Sequence, residues 1–326
     1  MEIPPAYVLT QEMVSFISQI EAKKALLENI NIPLQLINKF QINSLLKSSL
    51  YSAKIEGNKL KESDFNGRVK SNSDIKERIE VENIITALNY LRNKKVSIID
   101  LNSILDLHKI IMKNILDDAG IIRTVPSAIF NHAGFPVYIP PAPSQISDLL
   151  NKLIEYINTM TNENILIKAA LSHMIFEKIH PFLDGNGRMG RLLYQLVLIK
   201  NNYHFNWLLS TEEDINEKKE EYYLYLDKDD ATSFIEFSLD VLLLNINKTV
   251  DLIVGQKVDN KETLLLPRRK EILDLIRDHK LMSHDQIKRR FLKVSPRMIR
   301  YDLKKLEEKG FIVKIGSTRG ALYSIK

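Results

Sequence analysis

The stretch Ile179-His180-Pro181-Phe182-Leu183-Asp184-Gly185-Asn186-Gly187-Arg188-Met189-Gly190-Arg191 is the part of this 326-residue chain that decides its fold. Helical periodicity precedes it over 165–179 and resumes at 188, so the stretch predicts a short loop between two helices. Two glycines flank Asn186, which lets main-chain amides approach a ligand closely, and the following helix presents unpaired amides and the positive end of its dipole. The stretch therefore predicts a phosphate-binding loop.

Four side chains of this stretch supply groups for phosphate chemistry. Arg188 and Arg191 share a face on the first helical turn, where cations are unfavourable unless an anion joins them. Asp184 supplies a single carboxylate of the kind that holds Mg²⁺ beside phosphates, and His180 is a candidate general base near pH 7. Each residue alone also fits an ordinary solvated turn. A metal site shared by His173, His180 and Asp184 is an alternative, but the absence of a fourth ligand favours a packed or hydrogen-bonded His173.

Residues 180–191 match the signature His-Pro-Phe-x-Asp-Gly-Asn-Gly-Arg-x-x-Arg at every defined position, and the chain here resembles the Fic family. The segment 169–178 is similar to the family's lead-in helix, and a hairpin after Gly120 to Arg123 is similar to its flap. The resemblance covers roughly 101–239 and implies a mainly α fold, with a helical Fic core and one β-hairpin flap. Relatives that act as kinases, similar to Doc, carry lysine at the position of Gly187, so the glycine favours nucleotidyl transfer.

The resemblance implies transfer of AMP from ATP to a Ser, Thr or Tyr hydroxyl of a target protein, with Mg²⁺ as the metal. His180 would take the proton of the hydroxyl, and Asp184 would hold Mg²⁺ between the α- and β-phosphates. The residues expected to bind nucleotide are Asp184, Gly185, Asn186, Gly187, Arg188, Arg191 and, at the adenine, Tyr222. The competing interpretation is a transcription regulator whose Fic body only senses nucleotide.

A second motif lies near the amino terminus. The stretch Ser52-Ala53-Lys54-Ile55-Glu56-Gly57-Asn58 resembles the inhibitory motif Ser/Thr-x-x-x-Glu-Gly/Asn of Fic proteins with an amino-terminal inhibitory helix. Ser52 and Glu56 share one helical face, and Glu56 lies in the last turn, where the dipole disfavours an acid unless a cation compensates it. By resemblance that cation is Arg191, so Glu56 would occupy the γ-phosphate position. A solvated glutamate at a frayed helix end is the alternative. In similar proteins the same glutamate can also support removal of AMP, and that second activity stays open for this chain.

The β signals at 125–130 and 135–139 flank turn residues at 131–134 and predict a hairpin. Its edge is a candidate docking site, because an extended target segment could pair with it and leave a hydroxyl facing His180. An ordinary hairpin that covers a core fits the sequence equally well.

The carboxyl-terminal segment differs from the rest of the chain in charge. From Leu266 to Lys326 there are 17 Lys and Arg against 7 Asp and Glu, a net charge of +10, whereas the preceding residues have a net charge of −5. Such a segment favours a polyanionic partner, although a solvated surface has the same signature.

This segment is predicted to form a winged helix. A helix at 268–279 precedes a capping box at 283–286 and a third helix that begins at Ser295-Pro296, and strands at 311–315 and 321–325 enclose a wing at 316–320. The resemblance is to the helix-turn-helix of bacterial regulators, and the residues expected to face DNA are Arg297, Arg300, Tyr301 and Lys304. A module for dimerisation or target docking is the alternative.

Composition and hydropathy exclude several classes of site and of membrane segment. The chain has no cysteine, which excludes disulfides, thiolate metal sites and cysteine nucleophiles. The amino terminus lacks the pattern of a signal peptide, and apolar runs such as 192–199 are too short to span a bilayer, so we expect a cytoplasmic protein with no membrane partner.

The expected domain division is an amino-terminal helical region at 1–98, a Fic core at 99–258, a linker at 259–265 and a winged helix at 266–326. Whether the chain forms a homodimer stays open.

Overall fold

A computed structural model describes residues 1–29, 34–65, 72–94, 96–130, 136–258, 265–292, 294–316 and 321–325. Three sequence-based expectations lie outside the described residues: the hairpin turn at 131–134, residues 259–264 of the linker, and the wing tip at 317–320. The chain divides into two compact units, Met1–Val250 and Asp251–Lys326. The described residues are mainly helical, as the sequence predicts.

Helices account for most of the chain up to residue 258. They are α1 (Gln11–Asn29), α2 (Leu34–Ile55), α3 (Glu62–Phe65), α4 (Asn72–Asn93), α5 (Leu101–Ile111), α6 (Pro143–Asn158), α7 (Ile165–Ile179), α8 (Asn186–Lys200), α9 (Thr211–Glu217), α10 (Lys219–Asp227) and α11 (Thr232–Val258). Nearly all of α7 is buried, because α6 and α8 pack against it. A helix that is apolar on all sides must be surrounded in this way. Among the described residues, no helix combines the length and apolar character needed to cross a membrane.

Helix α2 is held by polar contacts to the segment that begins α9. Ser48 Oγ donates to Glu212 Oε2 over 2.7 Å, and Lys47 Nζ lies 2.9 Å from the Glu213 carboxylate. Ser44 Oγ donates to the carbonyl of Leu209. Because these contacts recur about one helical turn apart, they fix the face that α2 presents to α8.

The hairpin strands are shorter than predicted. They are β1 (Ile129–Phe130) and β2 (Pro136–Tyr138), which pair antiparallel with an irregular register, in place of 125–130 and 135–139. Two features of the first segment explain the difference. Pro126 has no amide hydrogen to donate to a partner strand, and the carbonyl of Val125 accepts from the Arg123 guanidinium. The extended pairing is therefore confined to the outer part of the hairpin.

The segment between Thr211 and Asp227 forms two helices, α9 and α10, separated at Lys218. Lys218 Nζ lies 2.6 Å from Asp240 Oδ2 of α11, and Asp214 of α9 is buried against Asn245 of the same helix. Helix α10 instead points Tyr222 into the core. These two sets of contacts require the two helices to run in different directions. The helical periodicity of the sequence does not report such long-range contacts.

The second unit has the predicted winged-helix elements. They are α12 (Pro267–His279), β3 (Leu281–Ser283), α13 (His284–Arg290), α14 (Pro296–Glu308), β4 (Ile312–Ile315) and β5 (Leu322–Ile325). Ser283 and Gln286 form the capping box of α13, and Ser295 caps α14 before Pro296. The apolar face of α14 is buried, and its members are Ile299, Leu303 and Leu306.

Strand β3 is absent from the sequence-based expectation. It pairs antiparallel with β5, which lies between β3 and β4 in a three-stranded sheet. Its three residues connect two helices, and Met282 pairs with Tyr323 near the end of the chain. Three residues carry too little alternation of apolar and polar side chains to identify a strand in the sequence. The strand forms because it pairs with the distant β5.

Candidate active site

The loop between α7 and α8 has two left-handed residues that set its shape. His180 ends α7 with φ 49° and ψ 60°, and its amide donates to the carbonyl of Phe176. Gly185 begins α8 with φ 82°. A Cβ at Gly185 would lie 2.7 Å from Met112 Sδ, so both the backbone conformation and the space require glycine. The loop is therefore a compact turn that delivers His180 and the first turn of α8 to the same side.

Asn186 closes this turn from within. Its Oδ1 accepts from the amide of Phe182 over 3.0 Å, and its Nδ2 donates to the carbonyl of Phe182 over 2.9 Å. Phe182 is fully buried, as an anchor for the loop would be. The Asn186 side chain thus braces the loop, and its expected place in an anion-binding site stays a prediction.

His108 of α5 is a site residue that the sequence reasoning missed. Its ring stacks on Phe182 with the centroids 3.6 Å apart. Its Nδ1 accepts from the amide of Gly120, so its Nε2 carries the hydrogen that bonds the carbonyl of Asp184 over 2.9 Å. Burial lowers the pKa of His108 to about 4, which keeps the ring neutral. The available signal was a histidine on the buried face of an amphipathic helix.

His180 has the environment of a neutral base. Its Nδ1 is buried and has no hydrogen-bond partner among the described residues. Burial lowers the pKa of His180 below its usual value. At neutral pH the imidazole is therefore unprotonated and able to accept a proton, as the sequence analysis expects of the base.

Arg188 is buried beneath the loop, with 4% of its surface exposed. Its Nη2 donates to Asp184 Oδ1 over 3.1 Å, and its Nη1 lies 3.7 Å from Glu80 Oε1 of α4. Within the described residues, Nε and Nη1 have no hydrogen-bond partner. A buried guanidinium with unused donors is suited to bind an additional anion.

Arg191 is bound to the end of α2. Its Nη2 donates to Glu56 Oε1 and to the carbonyl of Ser52, each over 2.8 Å, and its Nε donates to Ser52 Oγ over 3.1 Å. Burial is the largest single influence on the pKa of Arg191 and lowers it, but Glu56, Tyr222, Tyr223 and Glu177 together raise it, and the net shift is upward. Nη1 is buried without a hydrogen-bond partner in the described part of the chain. The structure thus brings together the two motifs that lie far apart in the sequence.

Glu56 lies directly over the first turn of α8. A Cβ added to Gly187 would be 2.2 Å from Glu56 Oε1 and 3.3 Å from Arg191 Nη1. The carboxylate therefore lies against Gly187 in the first turn of α8, the turn at which the sequence predicts phosphate. Any side chain at position 187 would displace it.

Glu177 is a second carboxyl group that the sequence analysis did not single out. Its side chain is 14% exposed and lies 3.8 Å from His173 Nε2, and its Oε1 has no hydrogen-bond partner among the described residues. Burial raises the pKa of Glu177 to about 8, and the charge of Glu56 adds to the shift while Arg191 opposes it. The group is therefore largely protonated at neutral pH.

Tyr222, the expected adenine contact, has only 1% of its surface exposed. Its hydroxyl lies 3.0 Å from His173 Nε2, so His173 is a packed and hydrogen-bonded residue. Burial lowers the pKa of His173 to about 3, and the charge of Arg191 contributes. The neighbouring Tyr223 is 43% exposed, and its hydroxyl donates to the carbonyl of Ile55. The more exposed ring beside the site is thus that of Tyr223.

His180, Glu56 and the α8 amino-terminal turn line one cleft of about 1200 Å³, large enough for a nucleotide. Its lining includes Glu56, Gly57, Ser127, Ala128, Tyr138, Glu177, His180, Asp184, Gly185, Asn186, Gly187, Tyr222 and Tyr223. Two neighbouring cavities of about 20 and 60 Å³ are too small for any such ligand.

Asp184 could contribute to a metal site in this cleft. Its side chain is 58% exposed, and Oδ1 accepts from the amide of Gly185 and from Arg188. Among the described residues, no three His, Asp or Glu side chains are grouped to hold a metal ion. One carboxylate still fits Mg²⁺, which is commonly held by one or two carboxylates together with phosphates and waters.

Comparison with known proteins gives a match for two regions of the chain. Residues 98–198 match the Fic/DOC family model, and residues 268–322 match the DeoR-like helix-turn-helix domain model. The chain is 34% identical over 64 residues to a probable protein adenylyltransferase of Aquifex aeolicus, covering 20% of each protein. It is 28% identical over 144 residues to the protein adenylyltransferase Fic-1 of Caenorhabditis elegans, covering 42% of this chain and 27% of that protein. The chain thus spans 20% and 27% of the length of these two relatives.

Solved structures share the fold. A Fic family protein from Desulfovibrio desulfuricans G20 superposes with a TM-score of 0.79 at 22% identity, covering 99% of this chain and 98% of that one. A fragment of Fic-1 from Caenorhabditis elegans superposes with a TM-score of 0.63 at 20% identity, covering 75% and 73%. Together with the family models, these findings show that the chain carries a Fic/DOC family domain followed by a DeoR-like helix-turn-helix domain.

Proposed function

We propose that this protein transfers AMP from ATP to a hydroxyl side chain of a target protein. The observation that carries the proposal is the grouping, in one nucleotide-sized cleft, of a neutral buried histidine with the amides of a helix that begins at Asn186. The same helix bears Arg188 and Arg191, whose guanidinium groups are buried and retain unused donors. The named adenylyltransferase relatives support the same reaction class at the level of the family.

The chemistry follows from the positions of these groups. His180 takes the proton of the target hydroxyl as its oxygen bonds to the α-phosphorus of ATP. The bond from that phosphorus to the oxygen bridging the α- and β-phosphates then breaks, and pyrophosphate leaves with the released electron pair. Arg188, Arg191 and the α8 amides stabilise the negative charge on the phosphates, the main requirement of such transfers. When bound, Mg²⁺ on Asp184 neutralises phosphate charge.

Gly187 supports nucleotidyl transfer over a kinase reaction. A lysine there, as in the kinase-like relatives, would collide with the carboxylate of Glu56, because even a Cβ would lie 2.2 Å from Oε1. The Glu56 carboxylate would have to move to admit any side chain at this position.

We further propose that Glu56 inhibits the transfer. Its carboxylate binds Arg191 and lies against Gly187, so the γ-phosphate of ATP and Glu56 compete for the Arg191 guanidinium. The carboxylate is 30% exposed, so solvent reaches one side of the pair with Arg191. Full activity therefore requires that Glu56 leave Arg191.

Labelled ATP tests the transfer directly. We expect Glu56→Gly protein with Mg²⁺ and cell lysate to attach label from the α-phosphate to protein, and His180→Ala in the same background to abolish it. His279→Ala is the matched control, because it removes an imidazole from the exposed end of α12. Label that arrives from the γ-phosphate would identify a kinase and overturn the proposal.

A second function, DNA binding, is supported by the exposed side of α14. Arg297, Arg300, Tyr301 and Lys304 face solvent while the opposite side of the helix is buried. The segment has a net charge of +10 and matches a DeoR-like helix-turn-helix model. We propose that α14 enters the major groove of duplex DNA.

A further inference from the structure

Arg123, between α5 and the flap, is a buried cation with main-chain partners. Its Nε donates to the carbonyl of His180 over 2.7 Å, its Nη1 to that of Val125 over 3.0 Å, and its Nη2 to that of Pro141 over 2.6 Å. Only 3% of its surface is exposed, and no carboxylate among the described residues pairs with it. A guanidinium is seldom buried without a counterion, so its three carbonyl contacts require an explanation.

The contacts of Arg123 converge on the catalytic turn. Besides the bond from Nε to the carbonyl of His180, the amide of Arg123 donates to the carbonyl of Pro181 over 2.9 Å. His180 has φ 49°, a left-handed conformation that a residue with a Cβ rarely adopts. Such a conformation persists when surrounding contacts over-determine it. Arg123 supplies two of these contacts, to consecutive carbonyls of the turn.

The other two guanidinium bonds connect the same residue to the flap. Val125 precedes β1 and Pro141 follows β2, so Nη1 and Nη2 bind the chain at both ends of the hairpin. Tyr138 of β2 adds a further bond from its hydroxyl to the carbonyl of Lys178, at the end of α7. One planar group thus sets the hairpin and the His180 turn at a fixed separation.

We infer that Arg123 is a positioning residue that holds His180 in its left-handed turn and fixes the flap relative to it. The inference rests on the proposed AMP transfer, in which a target segment at the flap must present its hydroxyl to the imidazole. Small errors in such placement reduce turnover strongly, by about a hundredfold for a displacement of 1 Å.

The charge of Arg123 also favours the neutral imidazole. Burial is the largest cause of the lowered pKa of His180, and the positive charge of Arg123 acts in the same direction. Three features oppose it: a hydrogen bond involving the Glu177 main chain, the carboxylate of Glu56 at the end of α2, and the carboxylate of Asp184 in the loop. Loss of Arg123 should therefore raise the pKa of His180, whereas Arg123→Lys, which keeps the positive charge, should leave that pKa closer to its value in the background protein.

The test uses full-length Glu56→Gly protein as background. We expect Arg123→Met to lower kcat for AMP transfer by about 10- to 100-fold while KM for ATP changes by less than about threefold. Arg123→Lys should recover part of kcat, because it restores the charge and one of the carbonyl bonds. The matched control is Arg92→Met, which removes another partly buried guanidinium that packs on Trp207.

A readout that is independent of turnover separates this inference from the proposed reaction. NMR titration of the His180 ring, assigned by comparison with His180→Ala, should show a higher pKa in Arg123→Met than in the background protein. If Arg123→Met does not fold, the same comparison is made with Arg123→Lys, in which we expect a smaller loss of kcat. An unchanged kcat, or a kcat that falls only in proportion to folded protein with an unshifted His180 titration, overturns the inference. Absence of transfer in the background protein would contradict the proposed function, while the titration still tests Arg123.

Discussion

Replacement of Glu56 by glutamine should strengthen ATP binding without removing an atom from the structure. The substitution keeps the shape of the side chain and deletes the charge that pairs with Arg191 over 2.8 Å. A hydrogen bond between charged partners contributes about 1.5 to 3 kcal/mol. Because the carboxylate is 30% exposed while the guanidinium is buried, the lower part of this range applies. ATP should therefore bind about tenfold more tightly to Glu56→Gln, and up to about a hundredfold more tightly to Glu56→Gly, which also clears the space over Gly187.

The assay is isothermal titration with ATP and Mg²⁺ in a His180→Ala background, which prevents turnover. Glu213→Gln is the matched control, because the Glu213 carboxylate is 23% exposed and pairs with Lys47 of α2 over 2.9 Å, away from the phosphate position. We expect the control to leave the dissociation constant unchanged. In the absence of nucleotide, Glu56→Gln should have a lower Tm, since buried Arg191 loses its counterion, and ATP should raise this Tm more than that of the parent protein.

Equal ATP affinity in the parent protein and in Glu56→Gln would refute the reasoning, because it would show that Glu56 and the γ-phosphate use different donors. Equal gains in Glu56→Gln and Glu213→Gln would refute it too, by assigning the effect to the general position of α2.

Three further predictions concern other parts of the chain. Folded Glu177, with a pKa raised to about 8 from 4.5, holds a proton that the unfolded chain releases, so stability should fall by about 1 to 3 kcal/mol as pH rises from 5 to 8. Glu177→Gln should abolish this dependence in urea unfolding. Asp302→Ala should cost about 2 to 4 kcal/mol, because buried Asp302 accepts from both Arg268 and Arg269. Lys304→Ala should reduce the log–log salt slope of DNA binding by about one unit in gel-shift titrations.

Each of these predictions has a result that contradicts it. A stability that is independent of pH in the parent protein would show that Glu177 is ionised in the fold. A loss with Asp302→Ala no larger than with Asp285→Ala, at an 85% exposed carboxylate, would show that the Asp302 pair is dispensable. No binding of the full chain to duplex DNA at low salt would leave the basic face of α14 as solvated surface or a protein-docking patch.

Local signals in the sequence sufficed for much of the architecture. The loop at 180–185 lies between two helices, as predicted from its glycines and the periodicity on either side. The caps of α13 and α14 were readable from Ser283 and Ser295, because capping depends on residues three positions apart. The buried face of α14 followed from apolar spacing. The DeoR-like domain was foreseen as a winged helix on the same grounds.

Features that depend on distant partners were not readable in this way. The break between α9 and α10 follows from contacts of Lys218 and Tyr222 to different elements, and β3 exists because β5 pairs with it. The flap strands are short because Arg123 takes the carbonyl of Val125. Propensity describes what a segment favours alone, and these contacts override it.

The candidate site shows the same difference between local features and features that depend on distant partners. The sequence by itself determined which groups are available, from the base His180 to the carboxylates and arginines of the two motifs. The tertiary structure alone decided that Glu56 reaches Arg191 across 135 residues and covers Gly187. It also decided that Arg123 and His108 hold the main chain of the loop from a separate segment. The physical reason is that burial and hydrogen-bond geometry depend on which elements pack together, whereas residue type and spacing report only the chemistry that each element carries.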